Sequence, residues 1–304
     1  MDNWRGRTAV LTGAGSGFGL EMARLAARHG MKLVLVDVQV PALNACADEM
    51  RALGAQVLVV PTDVASATQV QDMAQAAFAA FGAPHLVFNN AGVASGGLVW
   101  ETSVQEWDWV LGVNLMGVVH GVHAFTPMML QAAQQDPDYR GFIVNTASMA
   151  GLLTAPNMGV YNVSKHAVVA LSETLYHDLA LVTTQIHASV LCPYFVPTGI
   201  SQSQRNRPDQ HSSGLAQPTA SQRVSQVMSD KAVRSGKLTA AEVAQKVFDA
   251  MAARRFYIYS HAQALAGVQQ RFEDLMQARN PTDPYAAKPH LGQALRSAIK
   301  PVTE

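Results

Sequence analysis

Near its N-terminus the chain changes hydrophobic period abruptly, and that change limits what it can fold into. Thr8-Ala9-Val10-Leu11-Thr12 is a short apolar run with the composition of a buried strand, and Leu20, Met22, Ala23, Leu25, Ala26 and Ala27 then recur at helical spacing. Between the two lies Gly13-Ala14-Gly15-Ser16-Gly17-Phe18-Gly19. Strand, glycine loop and helix in that order are what a nucleotide pyrophosphate needs. Glycines let the backbone approach the phosphates, and the helix N-terminus offers free amides and a partial positive charge. A glycine-rich loop alone is often only a tight turn; here the flanking elements favour the phosphate.

The alternation continues. Lys32-Leu33-Val34-Leu35-Val36-Asp37 reads as a second strand ending in an acid, 18 residues past Gly19. A dinucleotide-binding unit places there the carboxylate that holds the adenosine ribose hydroxyls. Such a carboxylate repels a 2′-phosphate, and Val38, Gln39 and Val40 supply no arginine, so the pattern favours NAD over NADP. The plainer alternative is that Asp37 caps the helix beginning near Pro41. Asp63, followed by Val64, either accepts a hydrogen bond from the adenine amino group or caps its own turn. Further strands are expected at 56–60, 86–88, 141–147 and 186–191, with helices at 67–81, 104–130 and 161–182. The pattern implies an α/β, single-domain fold: a doubly wound parallel sheet of about seven strands, with helices on both faces and right-handed crossovers. In such sheets ligands bind at the carboxyl ends of the strands. The glycine loop, Asp37, Asp63, Asn90, Ser148 and Pro193 all fall there, which argues for one shared site.

Tyr161 and Lys165 stand four apart at the start of an expected helix, so phenol and ammonium share one face. A free tyrosine titrates near pH ~10, and bringing it to ~7 takes about 4 kcal/mol of preference for phenolate. One cation roughly 4 Å away at an effective dielectric of ~20 supplies about that much. The pair can therefore make a general acid/base near neutral pH. Ser148, after the strand-like Phe142-Ile143-Val144-Asn145, can hydrogen-bond the same substrate oxygen. Taken alone, the spacing also suits an ordinary amphipathic helix with one aromatic and one lysine.

Of the 304 residues, 49% are hydrophobic and 14% charged, with a formal net charge of +0. That is ample material for a large core, and no global basic field points to nucleic acid. The two cysteines, Cys46 and Cys192, form no disulfide framework and no metal-spaced cluster, which suits a reducing, cytoplasmic setting and no metal. No signal peptide is visible before Thr8. Residues 110–130 are long and uncharged enough to span a bilayer, yet contain Asn114, His120, His123 and Pro127. They are expected to be a helix buried between layers or subunits, not a membrane span. Residues 199–236 are rich in Ser, Gln, Arg and Pro with little periodicity, as a mobile substrate lid would be. One domain is expected over 1–280, ending in a strand near 256–259 and a helix from 262 to about 278, with a tail at 281–304 lacking obvious structure.

Together these residues resemble the short-chain dehydrogenase/reductase family in its single-domain form. Thr12-Gly13, Gly17 and Gly19 match its cofactor loop, Asn89-Asn90-Ala91-Gly92 its second signature, and Gly112-Val113-Asn114-Leu115 its helical asparagine. Ser148 with Met149-Ala150-Gly151, and Tyr161 thirteen positions after Ser148, keep its spacing. The resemblance implies Tyr161 as acid/base, Lys165 lowering its pKa and holding the nicotinamide ribose, and Ser148 polarising the substrate oxygen. It also implies Asn114 as the link from Lys165 to solvent, with Val196 and Thr198 on the carboxamide. Ala147 stands where many members have a second serine, and Tyr194 where glycine is usual. The C-terminal part looks similar to a bacterial branch that includes lignin aryl-ether alcohol dehydrogenases. The implied activity is NAD-dependent interconversion of a secondary alcohol and a ketone by a homodimer or homotetramer, on a small molecule. Met149, Leu152, Leu153, Met158, Tyr194 and Phe195 suggest a bulky hydrophobic or aromatic substrate. The alternatives are an NADPH-dependent ketone reductase and a non-catalytic cofactor-binding regulator.

Overall fold

The computed structural model describes residues 4–208 and 217–299. Its strands are β1 (Thr8–Thr12), β2 (Lys32–Asp37), β3 (Val57–Pro61), β4 (Leu86–Asn89), β5 (Gly141–Thr146), β6 (Ile186–Cys192) and β7 (Tyr257–Tyr259). All pair in parallel, in the order β3-β2-β1-β4-β5-β6-β7. The chain reverses its direction of growth between β1 and β4, and a crevice opens at that switch point.

Side chains of successive strand residues go to opposite faces. Ala9 and Leu11 pack with Met22, Leu43, Met50 and Phe248, under α1 (Gly17–Arg28), α2 (Val40–Ala52) and α8 (Ala240–Ala252). Val10 packs the other way with Val70, Met73, Phe125 and Leu175, under α3 (Ala67–Phe81), α5 (Gly117–Gln135) and α6 (Gly159–Val182). Burial on both faces is why these strands read as continuous apolar runs.

The helix expected over 104–130 is interrupted. α4 (Val104–Leu111) passes into a π-helical turn, Gly112–Met116, before α5 begins. Glycine is needed where this stretch meets the sheet: a Cβ at Gly117 would lie 2.7 Å from Val64 Cγ2, and one at Gly121 would lie 2.1 Å from Asn89 Oδ1. By length and composition alone Val104–Gln135 is apolar enough to cross a membrane. Its buried Ala124, Phe125 and Met129 belong to the core beneath the sheet, however, as in a core helix of a globular domain.

Two expectations about the later chain are corrected. Residues 199–236 are largely ordered helix, with a 3-10 stretch at Gly199–Asn206 and α7 (Ala220–Arg234); 209–216 lie outside the described residues. Thr219 and Gln222 form a reciprocal capping box that starts α7, and Ser221, Ser225 and Val233 bury its inner face. The tail is not structureless either. After α9 (Leu265–Met276) the chain forms α10 (Pro289–Ile299), which packs on α7 with Gly292 and Leu295 buried; 300–304 lie outside the described residues.

Candidate active site

The loop between β1 and α1 is shaped by glycine. Gly13 and Gly17 have φ of +67° and +54°, in the left-handed region that other residues avoid. Gly19 points away from the cleft: a Cβ there would come within 2.0 Å of Gly13 O, so it serves close helix–strand packing. Ser16, the N-cap of α1, makes no side-chain cap, whereas Ser66, Ser103, Thr219 and Thr239 each cap their own helix. The amides of the first turn of α1 thus have no side-chain partner and stand beside the cleft lined by Ser16, Gly17 and Phe18. That donor set fits a pyrophosphate.

Asp37, at the end of β2, accepts from Gly15 N at 2.9 Å with one carboxylate oxygen and from Gln39 N at 2.8 Å with the other. It ties the glycine loop to the α2 entry, so its anchoring role and its place on the cleft wall coexist. Asp63 Oδ1 accepts from Ala65 N at 3.0 Å, the turn-capping arrangement. Thr12 Oγ1 accepts from Asn90 N at 2.8 Å and from Ala91 N at 3.0 Å, locking the Asn89-Asn90-Ala91-Gly92 turn to β1.

Ser148, two residues past β5, caps a 3-10 turn, Met149–Gly151, accepting from Ala150 N at 3.1 Å. Its hydroxyl donates to Pro193 O at 3.3 Å. Tyr161 and Lys165 sit one turn apart at the start of α6, Tyr161 half-buried at the cleft and Lys165 buried. Lys165 Nζ donates to Thr146 O at 2.9 Å and stands 5.8 Å from the Tyr161 ring centre. Without ligand, burial pushes the phenol up, opposed only by the Ser148 hydrogen bond, and pushes the Lys165 ammonium down to about 8. The expected depression of Tyr161 by Lys165 is therefore absent here, because the ammonium is turned to a carbonyl and both groups are desolvated.

Asn114 is fully buried in the π turn and does not line the cleft. Its amide accepts from Val93 N at 2.8 Å and donates to Val93 O at 2.9 Å and to Ser164 Oγ at 3.0 Å. A Cβ at Gly92 would meet Asn114 Oδ1 at 3.4 Å and Lys165 Nζ at 3.6 Å, so glycine keeps the space between them open.

One cavity of about 2190 Å³ joins these groups. It exceeds the usual ~300–1,000 Å³ of a small-molecule site, which leaves room for a dinucleotide and a second molecule. Gly13, Asp37, Asp63, Val64, Asn90, Ala91, Gly92, Val196 and Thr198 line the cavity together with Ser148, Tyr161 and Lys165. Met149, Leu153, Met158, Tyr194 and Phe195 also line it, while Leu152 is buried in the core with Val168.

The short chain dehydrogenase family model matches residues 7–209. The chain belongs to that family. A crystal structure of a short chain dehydrogenase/reductase from Burkholderia phymatum in complex with NAD is 54% identical, covering 93% of this chain and 99% of that one, with a TM-score of 0.90. The CLA biosynthesis dehydrogenase/reductase of Lactiplantibacillus plantarum is 33% identical over 278 residues, 91% of this chain and 95% of that protein. The 1-deoxy-11-beta-hydroxypentalenate dehydrogenase of Streptomyces avermitilis is 32% identical over 270 residues, 88% and 89% of the two chains. This short-chain dehydrogenase is an oxidoreductase of the kind that acts on CH-OH groups.

In this family member Tyr194 replaces the usual glycine without strain. Its φ is not positive, its N–H donates to Ser260 Oγ at 2.8 Å, and its ring packs 4.5 Å from Phe195. Sequence reasoning missed a second cluster on the cleft wall. Arg207 pairs with Glu106 at 2.9 Å, with both side chains less than a tenth exposed, and stacks 4.6 Å over Trp109. Ser95 and Gln222 also donate to Glu106. No local motif announces that cluster, since its residues come from four separate segments. The Thr219–Gln222 capping box was a visible signal for α7.

Proposed function

We propose that this short-chain dehydrogenase oxidises a secondary alcohol to a ketone with NAD, on a bulky hydrophobic or aromatic substrate. The observation that carries the reading is that Ser148, Tyr161 and Lys165 line one cavity with the glycine loop, Asp37 and the apolar Met149, Leu153 and Met158. When bound, the nicotinamide supplies the acceptor for the hydride that leaves the carbinol carbon. Ser148 holds the carbinol oxygen, and Tyr161 takes its proton. Lys165, whose ammonium donates to Thr146 O, would hold the nicotinamide ribose and, turned toward the phenol, would lower its pKa. Asn114, beyond Gly92, would link Lys165 to solvent. Val196 and Thr198 hold the carboxamide, and Asp37 the adenosine ribose. The relative solved with NAD supports the cofactor choice, as does the absence of a lysine or arginine at 38–40.

The polypeptide from Gly199 through α7 acts as the substrate lid, held by the Arg207–Glu106 pair. Exposed Met116, Val163 and Tyr176, around α5 and α6, make the surface through which a homodimer or homotetramer assembles. Free, buried Cys46 and Cys192 suit a cytoplasmic enzyme. The test is a panel of secondary alcohols and ketones with NAD(H) and NADP(H), followed by absorbance of the reduced nicotinamide. Cofactor reduction by apolar secondary alcohols, faster with NAD, is expected. Turnover confined to NADPH and ketones would replace this reading with the reductase one.

A further inference from the structure

The face of α9 turned to the cavity carries Gly267, Gln270, Arg271, Asp274 and Leu275, a single stripe at helical spacing. Its two charges are differently placed. Asp274 is satisfied, accepting from Thr282 N at 3.0 Å and from Gln270 Nε2 at 3.1 Å and pairing with Arg279 at 3.0 Å. Arg271 has no carboxylate in ion-pair reach among the described residues. Its one hydrogen bond there runs to Leu152 O at 3.5 Å. A guanidinium presents five donors in a planar fork that matches a carboxylate, so most of this one is unused. Arg271 is half-buried on a wall shared with Leu153, Tyr194 and Tyr285, a setting that favours arrival of a counter-charge. The entrance is apolar too: Met228 and Leu291 line the cavity and are 37% and 41% exposed.

Position sets the scale of the ligand. Leu152 lies four residues past Ser148 across the 3-10 turn, roughly 8 Å at ~2.0 Å rise per residue. We propose that Arg271 determines specificity by binding a carboxylate of the substrate, which makes the substrate an amphiphilic secondary alcohol whose acid group lies across an apolar skeleton from the carbinol. This rests on the dehydrogenase reading given above and adds the substrate class to it. Two other cavity-lining arginines have no carboxylate partner among the described residues: Arg205 donates to Gly199 O and Gln202 O, and Arg223, which is exposed and bonds Pro218 O, serves as the control.

The probes are decanoic acid bearing a hydroxyl on its penultimate carbon, the methyl ester of that acid, and unsubstituted decanoate. Wild-type enzyme with NAD should favour the hydroxy acid over its ester by about tenfold or more in kcat/KM, as a charge-assisted bidentate contact would give. Arg271→Leu should bring that ratio to about one, Arg271→Lys should keep part of it, and Arg223→Ala should keep it whole. Decanoate, which has no carbinol, should bind the cofactor-free enzyme in calorimetric titration about tenfold more weakly after Arg271→Leu. Equal use of acid and ester by the wild type, or equal decanoate binding by wild type and Arg271→Leu, overturns the assignment of Arg271. If no alcohol is oxidised while decanoate binding still depends on Arg271, the dehydrogenase reading fails and the acid site stands.

Discussion

At the ends of β1, β2 and β4 the groups facing the cleft are tied to one another by backbone amides: Asp37 accepts from Gly15 N, and Thr12 Oγ1 on the neighbouring strand accepts from Ala91 N. Beyond β6 the walls are made by residues far apart in the chain, such as Glu106 with Arg207 and Leu153 beside Gly267. The first region is held by the sheet whether or not a ligand is present. The second is held by contacts between side chains of α4, the 199–208 segment, α7 and α9. On the proposed reading, chemistry rests on the half built by the sheet and selection on the other, the division expected where loops carry specificity over a fixed scaffold.

The largest expected effect tests the half built by the sheet. Tyr161→Phe keeps the ring and removes the titrating hydroxyl, so kcat should fall by ~10² to 10⁴ while NADH binding stays within a few-fold. Binding is read by fluorescence titration and kcat with the best alcohol found. Turnover near wild type would remove Tyr161 from the acid/base role.

The contrast also explains what could be read in advance. Strand, glycine loop and helix are local signals with local causes, so the cofactor loop, Asp37, Ser148, Tyr161 and Lys165 could all be placed at the cleft from sequence spacing. Asn114 could be named, but not its π turn, which depends on Gly117 meeting Val64 across the fold. The direction of the Tyr161 shift was beyond reach because it depends on where Lys165 points, toward Thr146 O. α7 and α10 were missed because their buried faces are small, Ser221, Ser225 and Val233 in one and Gly292 and Leu295 in the other, and because Ser221 and Ser225 are buried against the distant Leu98, Glu101 and Asn157.

Breaking the half beyond β6 should be nearly as costly, but locally. Glu106→Ala leaves the Arg207 guanidinium buried beside Trp109 without its partner, a change worth about 3–5 kcal/mol when the site cannot relax. Most of that should appear as opening of 199–208 and α7, seen as faster hydrogen exchange there with the β1–β5 amides unchanged. Adding Arg207→Met should restore much of the protection by removing the stranded charge. Uniform loss of protection across the sheet would show that the two regions are one cooperative unit.

Cofactor choice should respond next in size. The Asp37 carboxylate would face a 2′-phosphate, and wild type should prefer NAD by at least ~10²-fold in kcat/KM, at about 1.4 kcal/mol per tenfold. Asp37→Ser with Val38→Arg should narrow or reverse the preference by adding a phosphate partner. Asp37 also accepts from Gly15 N and Gln39 N, so this variant should lose some thermal stability as well. Equal use of both cofactors by the wild type would separate the anchoring role of Asp37 from any role in selection.

The smallest effect is a pH slope that only the ligand-free enzyme should show. Burial lowers Lys165 to about 8, against an unfolded value near ~10.5. Between those values the unfolded chain holds a proton that the folded one has released, so stability must rise with pH across that window. Below about 8 both states are protonated and this slope vanishes. Burial of Cys192, whose thiol is pushed up to about 12, acts oppositely as pH passes 9, so the clean interval is from about 8 to 9. There the Lys165 contribution is about 1 kcal/mol, roughly 2 °C in melting temperature for a domain of this size. Melting curves of wild type and Lys165→Met should diverge by that amount over the interval. Adding NAD should shrink the divergence if the ammonium then gains the ribose and phenol as partners, since a charged Lys165 would no longer be penalised. Parallel curves without ligand would mean that Lys165 is already solvated or paired in the resting enzyme, and that the half built by the sheet is less fixed than its geometry suggests.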